Sequence, residues 1–71
     1  MNFNSDFKRE VGFSRVGERS LLVHTFSKKA RKILALLPGV KRIGPIQFVH
    51  RPRVFGVIER LHAEGFKTGF L

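Results

Sequence analysis

The sequence contains no cysteine, tryptophan or tyrosine. Without cysteine the chain can form neither a disulfide framework nor a cysteine-based zinc or iron–sulfur site, which is typical of proteins from a reducing compartment. The longest uninterrupted apolar run, residues 33–37, is too short to cross a bilayer, and the first ten residues lack the apolar core of a signal peptide. We therefore expect a cytoplasmic protein with no membrane partner.

Acidic residues are also scarce, with five Asp and Glu against fourteen Lys and Arg and a formal net charge of +9. No acidic residue occurs between residues 19 and 58, a stretch that holds nine of the fourteen cations. Such one-sided charge destabilises a lone compact domain and speeds association with a polyanion. It predicts nucleic acid as the main partner. An acidic protein, an anionic membrane surface and charge kept only for solubility are the alternatives.

The length of 71 residues corresponds to one domain. A chain this short buries only about 60% of the surface that its unfolded form exposes, so we expect marginal stability that a partner increases. Residues 1–6 are polar and predicted to be loose, and the chain shows no internal repeat.

Two strands and a turn are predicted before the first helix. Phe7, Val11 and Phe13 lie on one face of residues 7–13, which indicates a half-buried strand. Residues 14–20, with Gly17 and three charges, form a turn or a basic hairpin tip. Residues 21–26 are apolar on both faces, which favours a central strand covered on both sides or by a partner.

An amphipathic helix is predicted over residues 27–39, around which the rest of the chain is organised. Ser27 is a good N-cap, and Pro38 and Gly39 stop the helix. Its apolar stripe has the spacing of one buried helical face and consists of Ala30, Ile33, Leu34 and Leu37.

The remainder predicts β structure, a second helix and a last strand. Residues 40–43 and 46–49 form either a hairpin or one kinked strand, because Pro45 is awkward in a two-residue turn. Pro52 suits a first helical position, and Gly65 ends that helix. Its apolar stripe is Val54, Val57, Ile58 and Leu61. Gly56 within it costs about 1 kcal/mol relative to alanine, so we expect close packing there. Residues 66–71 form the last strand.

This order predicts an α+β fold with two helices on one face of a sheet. From residue 21 onward it matches a ferredoxin-like βαββαβ plait, or βαβαβ if residues 40–50 are one strand, with an extra N-terminal strand. We expect the two strands that lead into the helices to be adjacent and parallel. Both helix N-termini would then emerge from the same edge of the sheet.

Cations surround both predicted helix starts, where the helix dipole disfavours them and where free backbone N–H groups attract phosphate. A bound anion would reverse this penalty, so we interpret the two starts as one phosphate site with neighbouring cations on its rim. The predicted nucleic-acid-binding residues are Lys28, Lys29, Arg31, Lys32, Lys41, Arg42, Arg51 and Arg53. A solvated basic surface without a specific ligand is the alternative.

The eight phenylalanines include candidates for base stacking. If the helices cover the face that carries Leu21, then His24, Phe26 and Phe48 form a platform on the open face. Burial in the core or in a dimer interface is the favoured interpretation, because so short a chain needs its aromatic residues for packing.

No catalytic, metal or cofactor site is predicted. His24, His50 and His62 lack the spacing of a known metal motif. The few hydroxyl groups have no histidine and carboxylate near them in sequence, and no glycine-rich loop matches a phosphate-binding motif. We therefore expect neither an enzyme nor a small-molecule substrate.

Two translation families are similar to parts of the chain. Residues 46–51, the apolar helix that follows and Gly65-Phe66-Lys67 resemble the C-terminal half of SUI-type initiation factors, whose element order is also similar. Phe48-Val49 stand where that family has Gly-Asp, and its glycine-rich segment after the first helix is missing. Both this resemblance and the next imply contact with ribosomal RNA, and neither assigns a family.

The second resemblance is to a short large-subunit ribosomal protein of ferredoxin-like plan. It rests on Arg42-Ile43-Gly44, on His50 and on residues 52–56, with different intervals between them. The sequence as a whole thus predicts a non-catalytic protein that binds nucleic acid, RNA in preference to DNA. The alternatives are an interaction module that forms a homodimer or docks on an acidic partner, and a small nuclease dependent on a metal or on histidine.

Overall fold

A computed structural model describes residues 9–71, so the predictions for residues 1–6, Phe7 and the start of the first strand lie outside the described residues. The fold is α+β with two helices, as predicted, and its sheet has five strands of mixed direction. The elements in chain order are β1 (Glu10–Arg15), β2 (Ser20–His24), α1 (Lys28–Ala35), β3 (Val40–Ile43), β4 (Ile46–His50), a 3-10 turn (Arg51–Arg53), α2 (Val54–Ala63) and β5 (Lys67–Phe70).

The strands follow the order β3-β4-β2-β1-β5 across the sheet. β2 is the central strand, as its apolar sequence predicts. β1 lies between β2 and β5 and pairs antiparallel with the first and parallel with the second. The ferredoxin-like plait is not confirmed, because β1 separates β2 from β5, which are neighbours in a βαββαβ plait.

The two strands that lead into the helices, β2 and β4, are adjacent but antiparallel, with Ser20 opposite His50 and Leu22 opposite Phe48. The prediction that they run parallel is therefore wrong. The physical reason lies in the connections. α1 carries the chain back so that β3 runs in the direction of β2, and the tight hairpin after β3 then reverses β4.

One face of the sheet carries both helices. Residues that alternate along β1, β2 and β4 form a single core with the apolar stripes of α1 and α2. The buried members of this core are Val11, Phe13, Leu21, Ala30, Leu34, Val49, Val54, Val57, Leu61 and Phe66. The predicted stripes of both helices are thereby confirmed, with Ile33, Leu37 and Ile58 partly buried against the same core.

Local signals set the ends of α1. Ser27 has an extended backbone, and its Oγ accepts a hydrogen bond from the backbone N–H of Ala30 at 3.1 Å, which confirms the predicted N-cap. The helix ends at Ala35, earlier than predicted, and Gly39 completes the reversal with a φ of +86°. A positive φ of this kind is open to glycine at little cost.

The segment after α1 is a hairpin and not one kinked strand, since β3 and β4 pair antiparallel around Gly44 and Pro45. Gly44 has a φ of +60°, and no residue other than glycine has a positive φ among residues 9–71. A positive φ at Gly44 followed by a negative φ at Pro45 is the pattern of a type II′ turn, in which glycine takes the first position. Pro45 fits the second position because that position needs the negative φ that its ring enforces.

α2 follows the 3-10 turn directly, and Pro52 lies within that turn. Gly65, with a φ of +90°, ends the helix as predicted. No helix between residues 9 and 71 is both long and apolar enough to cross a membrane.

Candidate nucleic-acid interface

The two basic helix starts lie at opposite ends of the sheet. Lys28 and Lys29 follow the end of β2, whereas Arg51 follows the end of β4, which pairs with the beginning of β2. Antiparallel neighbouring strands finish at opposite ends of the sheet, so the two helix starts lie far apart. The prediction of one shared phosphate site is therefore wrong.

Arg53 shows this separation directly, since it packs against the far end of α1. A Cβ added to Gly39, which follows α1, would lie 2.5 Å from the Cβ and Cγ of Arg53. Eight helical residues span about 12 Å, so α1 separates Arg53 from Lys28 by at least that order of distance. The segment around α1 is therefore an amphipathic core helix with a basic outer surface, and its start is not half of a shared phosphate site.

The four predicted cations of α1 are all exposed. They are Lys28, Lys29, Arg31 and Lys32. The Arg31 guanidinium donates a hydrogen bond to the backbone carbonyl of Thr25 at 3.2 Å, and the backbone carbonyl of Arg31 accepts one from the Gln47 side chain at 3.0 Å. Gln47 is buried and thereby ties α1 to β4.

Lys41 and Arg42 lie on β3, an edge strand of the sheet. Lys41 stands opposite Phe48 and Arg42 opposite Gln47. Alternation along the strand places Arg42 on the helix side, beside α1, and Lys41 on the open side. These two cations therefore belong to different faces, and whether they contact nucleic acid stays a prediction, as it does for the cations of α1.

The sequence-predicted Arg51 belongs to a different group, which the tertiary structure assembles. It lines a cleft of about 1040 Å³ together with two further exposed arginines, Arg15 and Arg19, and two exposed phenylalanines, Phe55 and Phe70. We call this site, formed by these five residues, the arginine cleft. Its floor is the helix side of the sheet, where Arg15 lies two residues beyond the buried Phe13 and opposite Leu21.

Antiparallel pairing of β2 with β4 brings the arginines together. The backbone N–H of Arg51 donates to the carbonyl of Arg19 at 2.7 Å, which holds the start of the 3-10 turn against the β1–β2 hairpin. The Arg51 Nη1 also donates to the carbonyl of Glu18 at 3.4 Å, a long hydrogen bond. Arg51 thus becomes a neighbour of Arg19 and Glu18, which precede it by 32 and 33 positions in the sequence.

The aromatic walls of the arginine cleft are fixed by the elements that carry them. Phe70, 61% exposed, pairs with Phe13 across β1 and β5, and the two ring centroids are 6.0 Å apart at an interplanar angle of 42°. Phe13 is fully buried, so it supports one side of the Phe70 ring. Phe55, 72% exposed, follows the buried Val54 in the first turn of α2.

Within the described part of the chain, the arginines of the cleft form no ion pair. Within residues 9–71 the single ion pair joins Arg60 to Glu64 in the last turn of α2. Glu18 is the one acidic side chain that lines the cleft, and it forms no ion pair with the three arginines. The cleft therefore presents guanidinium groups to solvent beside apolar rings.

A smaller cavity of about 670 Å³ lies at the opposite end of the sheet. It contains the carboxylate of Glu10 beside Lys67, and its Arg31 already donates to the Thr25 carbonyl. The arginine cleft also contains one acidic side chain, but it has three cations against the two of this cavity, so it suits an anion better.

The aromatic platform is formed only in part. His24 and Phe48 share the open face, as the pairing of Leu22 with Phe48 and of Gly12 with His24 requires. The His24 ring is hydrogen-bonded to the Ser14 hydroxyl at 2.6 Å. Phe26 lies beyond the end of β2, and Phe48 is half-buried. Among the described residues, no group of three or more histidines and carboxylates lies close enough to hold a metal ion.

Sequence reasoning missed Arg15 and Arg19. The available signal was the basic hairpin tip at residues 14–20, which places both arginines near one sheet edge. What was lacking was the direction of β4, because only an antiparallel β4 delivers Arg51 to that edge.

Comparison of the chain with protein-family models, curated proteins and solved structures finds no match. The function is therefore argued from the charge, the exposure and the geometry of the arginine cleft.

Proposed function

We propose that the protein is a non-catalytic nucleic-acid-binding protein, with RNA as its preferred ligand, and that the arginine cleft holds the phosphate backbone. The observation that carries this proposal is the convergence on one cleft of three exposed arginines, Arg15, Arg19 and Arg51, that form no ion pair within residues 9–71. Ribosomal RNA is the first RNA to test, given the two sequence resemblances.

Guanidinium chemistry supports phosphate as the ligand. An arginine presents a planar fork of N–H donors that matches two phosphate oxygens, and its charge persists at any physiological pH. Each phosphate neutralised on a single strand releases counterions and contributes about 0.7 to the slope of log K against log salt. Three arginines predict a clear salt dependence.

The other exposed cations extend the basic surface. The outer side of α1 carries Lys28, Lys29 and Lys32, and Arg53 lies at the opposite end of α1, beside Gly39. We propose that they contribute long-range attraction and contacts to phosphates outside the cleft. Their individual effect is smaller because lysines spread over a helix surface act as separate point charges.

We further propose that the fold is a variant of the ferredoxin-like plait. Within the order β3-β4-β2-β1-β5, the pairing of β4 with both β3 and β2 supports this proposal. In this proposal β1 is an insertion that pairs with β2 and β5 and displaces β5 by one position. Comparison of an experimental structure with known folds would test this proposal, which predicts that ferredoxin-like plaits are its structural neighbours.

The binding proposal is tested with a fluorescein-labelled RNA hairpin that has both a stem and a loop, by anisotropy at several NaCl concentrations. The variant Arg15→Ala/Arg19→Ala/Arg51→Ala should weaken binding about tenfold or more near 0.1 M NaCl and lower the salt slope by about 2. The matched control is Lys28→Ala/Lys29→Ala/Lys32→Ala, which loses the same charge and should have a clearly smaller effect.

Two results would contradict the proposal. Equal losses in the two triple variants would show that net charge alone attracts RNA and that the cleft is not the site. Absence of binding by the unaltered protein, together with a dimer that persists in high salt, would favour the interaction module instead.

A further inference from the structure

We propose that the arginine cleft binds a single-stranded segment whose unpaired bases stack on Phe55 and Phe70. This inference rests on the proposed function, because it assigns the chemical class of nucleic acid to the same site. It concerns the aromatic walls, whereas the proposed function concerns the arginines.

The exposure of the two rings is the first argument. A single exposed apolar side chain is ordinary on a protein surface, but two phenylalanines that are 72% and 61% exposed line the same cleft. Exposed aromatic rings beside arginines that form no ion pair within residues 9–71 are the combination with which proteins bind nucleic-acid strands.

The support behind the rings is the second argument. Phe70 lies on β5, and its ring packs against the buried Phe13 at a centroid distance of 6.0 Å, so one side is held and the remainder is open to the cleft. Phe55 follows the buried Val54 on α2, and this burial fixes the backbone that carries the ring. Rings carried on a strand and a helix lose little further freedom when a base stacks on them.

The identity of the cations is the third argument. The cleft has three arginines and no lysine. Arginine both pairs with phosphate and stacks its planar guanidinium on bases, which suits a ligand that presents backbone and base faces together. A duplex keeps its base faces inside the helix, whereas single-stranded segments expose them. The combination therefore favours a single strand over a duplex.

The test compares two labelled RNAs at one NaCl concentration: a 12-nucleotide strand without self-complementarity, and the same strand annealed to its complement. We expect the unaltered protein to bind the single strand about tenfold tighter than the duplex, since stacking on each base strengthens binding. Phe55→Leu/Phe70→Leu should lower the affinity for the single strand far more than the affinity for the duplex, and so lose most of this preference.

Phe26→Leu is the matched control, because Phe26 is an exposed phenylalanine at the other end of the sheet. It should leave the preference for the single strand intact. Phe55→Leu alone is the second test variant, since it alters no ring that packs on Phe13, and urea unfolding verifies that each variant is folded.

The outcomes distinguish failure of this inference alone from failure of the proposed function. Equal affinity for single strand and duplex, or an equal loss of both in the double variant, would overturn the stacking inference and leave phosphate binding intact. Failure of the unaltered protein to bind either RNA would overturn both this inference and the proposed function. Tighter binding of a labelled oligoglutamate of 12 residues than of either RNA would also overturn both, in favour of an acidic protein partner.

Discussion

At the scale of single residues, the glycines separate local backbone needs from packing. Gly44 and Gly65 have positive φ values, which explains glycine at a turn and at a helix end. Gly56 is different, because it lies inside α2 without a positive φ, and a Cβ there would meet nothing within 4 Å. The expectation of close packing at Gly56 is therefore wrong, and its cost to the helix is uncompensated in the described part of the chain.

Gly56→Ala should consequently stabilise the protein by about 1 kcal/mol, since alanine has the higher helix propensity and its methyl group has room. The measurement is the free energy of unfolding from urea denaturation. Gly44→Ala is the control: it also adds a methyl group in open space but at a φ of +60°, so it should destabilise by about 1 kcal/mol. Destabilisation by Gly56→Ala would indicate that a ligand or a partner approaches that helix face.

At the scale of elements, α1 packs on the core through the face that its apolar periodicity predicts. Its start, however, is not part of the shared phosphate site that the sequence predicts. Ala30 and Leu34 are fully buried, while Leu36, two residues after Leu34, is 84% exposed. The Gln47 hydrogen bond holds the helix on β4, and the Ser27 cap satisfies a backbone N–H in the first turn. The position of α1 in the core is thus explained without any bound anion.

Leu34→Ala should cost about 2–5 kcal/mol, because it removes a fully buried side chain and leaves a cavity. Leu36→Ala makes the same chemical change at an exposed position and should alter the free energy of unfolding by less than about 0.5 kcal/mol. Urea denaturation of both variants checks this contrast. Similar losses in the two would mean that Leu36 is covered in the folded protein.

At the scale of the whole molecule, the imbalance of charge dominates. The net charge is +9, and residues 9–71 contain a single ion pair, so most cations repel one another without local compensation. Self-repulsion of this kind opposes the compact state, and both salt and a polyanion relieve it. A ligand that binds only the folded form adds its own stabilisation by mass action.

Raising NaCl from 10 to 100 mM should therefore raise the urea midpoint, as the screening length falls from about 30 Å to about 10 Å. Lys28→Glu/Lys29→Glu should be more stable and less dependent on salt, since it reduces the repulsion and places carboxylates in a first helical turn that has none. A midpoint that falls or stays constant with salt in the unaltered protein would show that repulsion is not what limits stability.

The sequence by itself determined the elements, because strand alternation, the helical stripes, the Ser27 cap and the glycine stops act between residues close in the chain. It also determined the strong positive charge. Tertiary structure decided what these elements bring together, since the antiparallel direction of β4 depends on pairing between distant segments. That direction separates Lys28 from Arg53 and joins Arg15, Arg19 and Arg51 beside Phe55 and Phe70. A local pattern carries no information on such neighbours, which is why the arginine cleft emerged only from the fold.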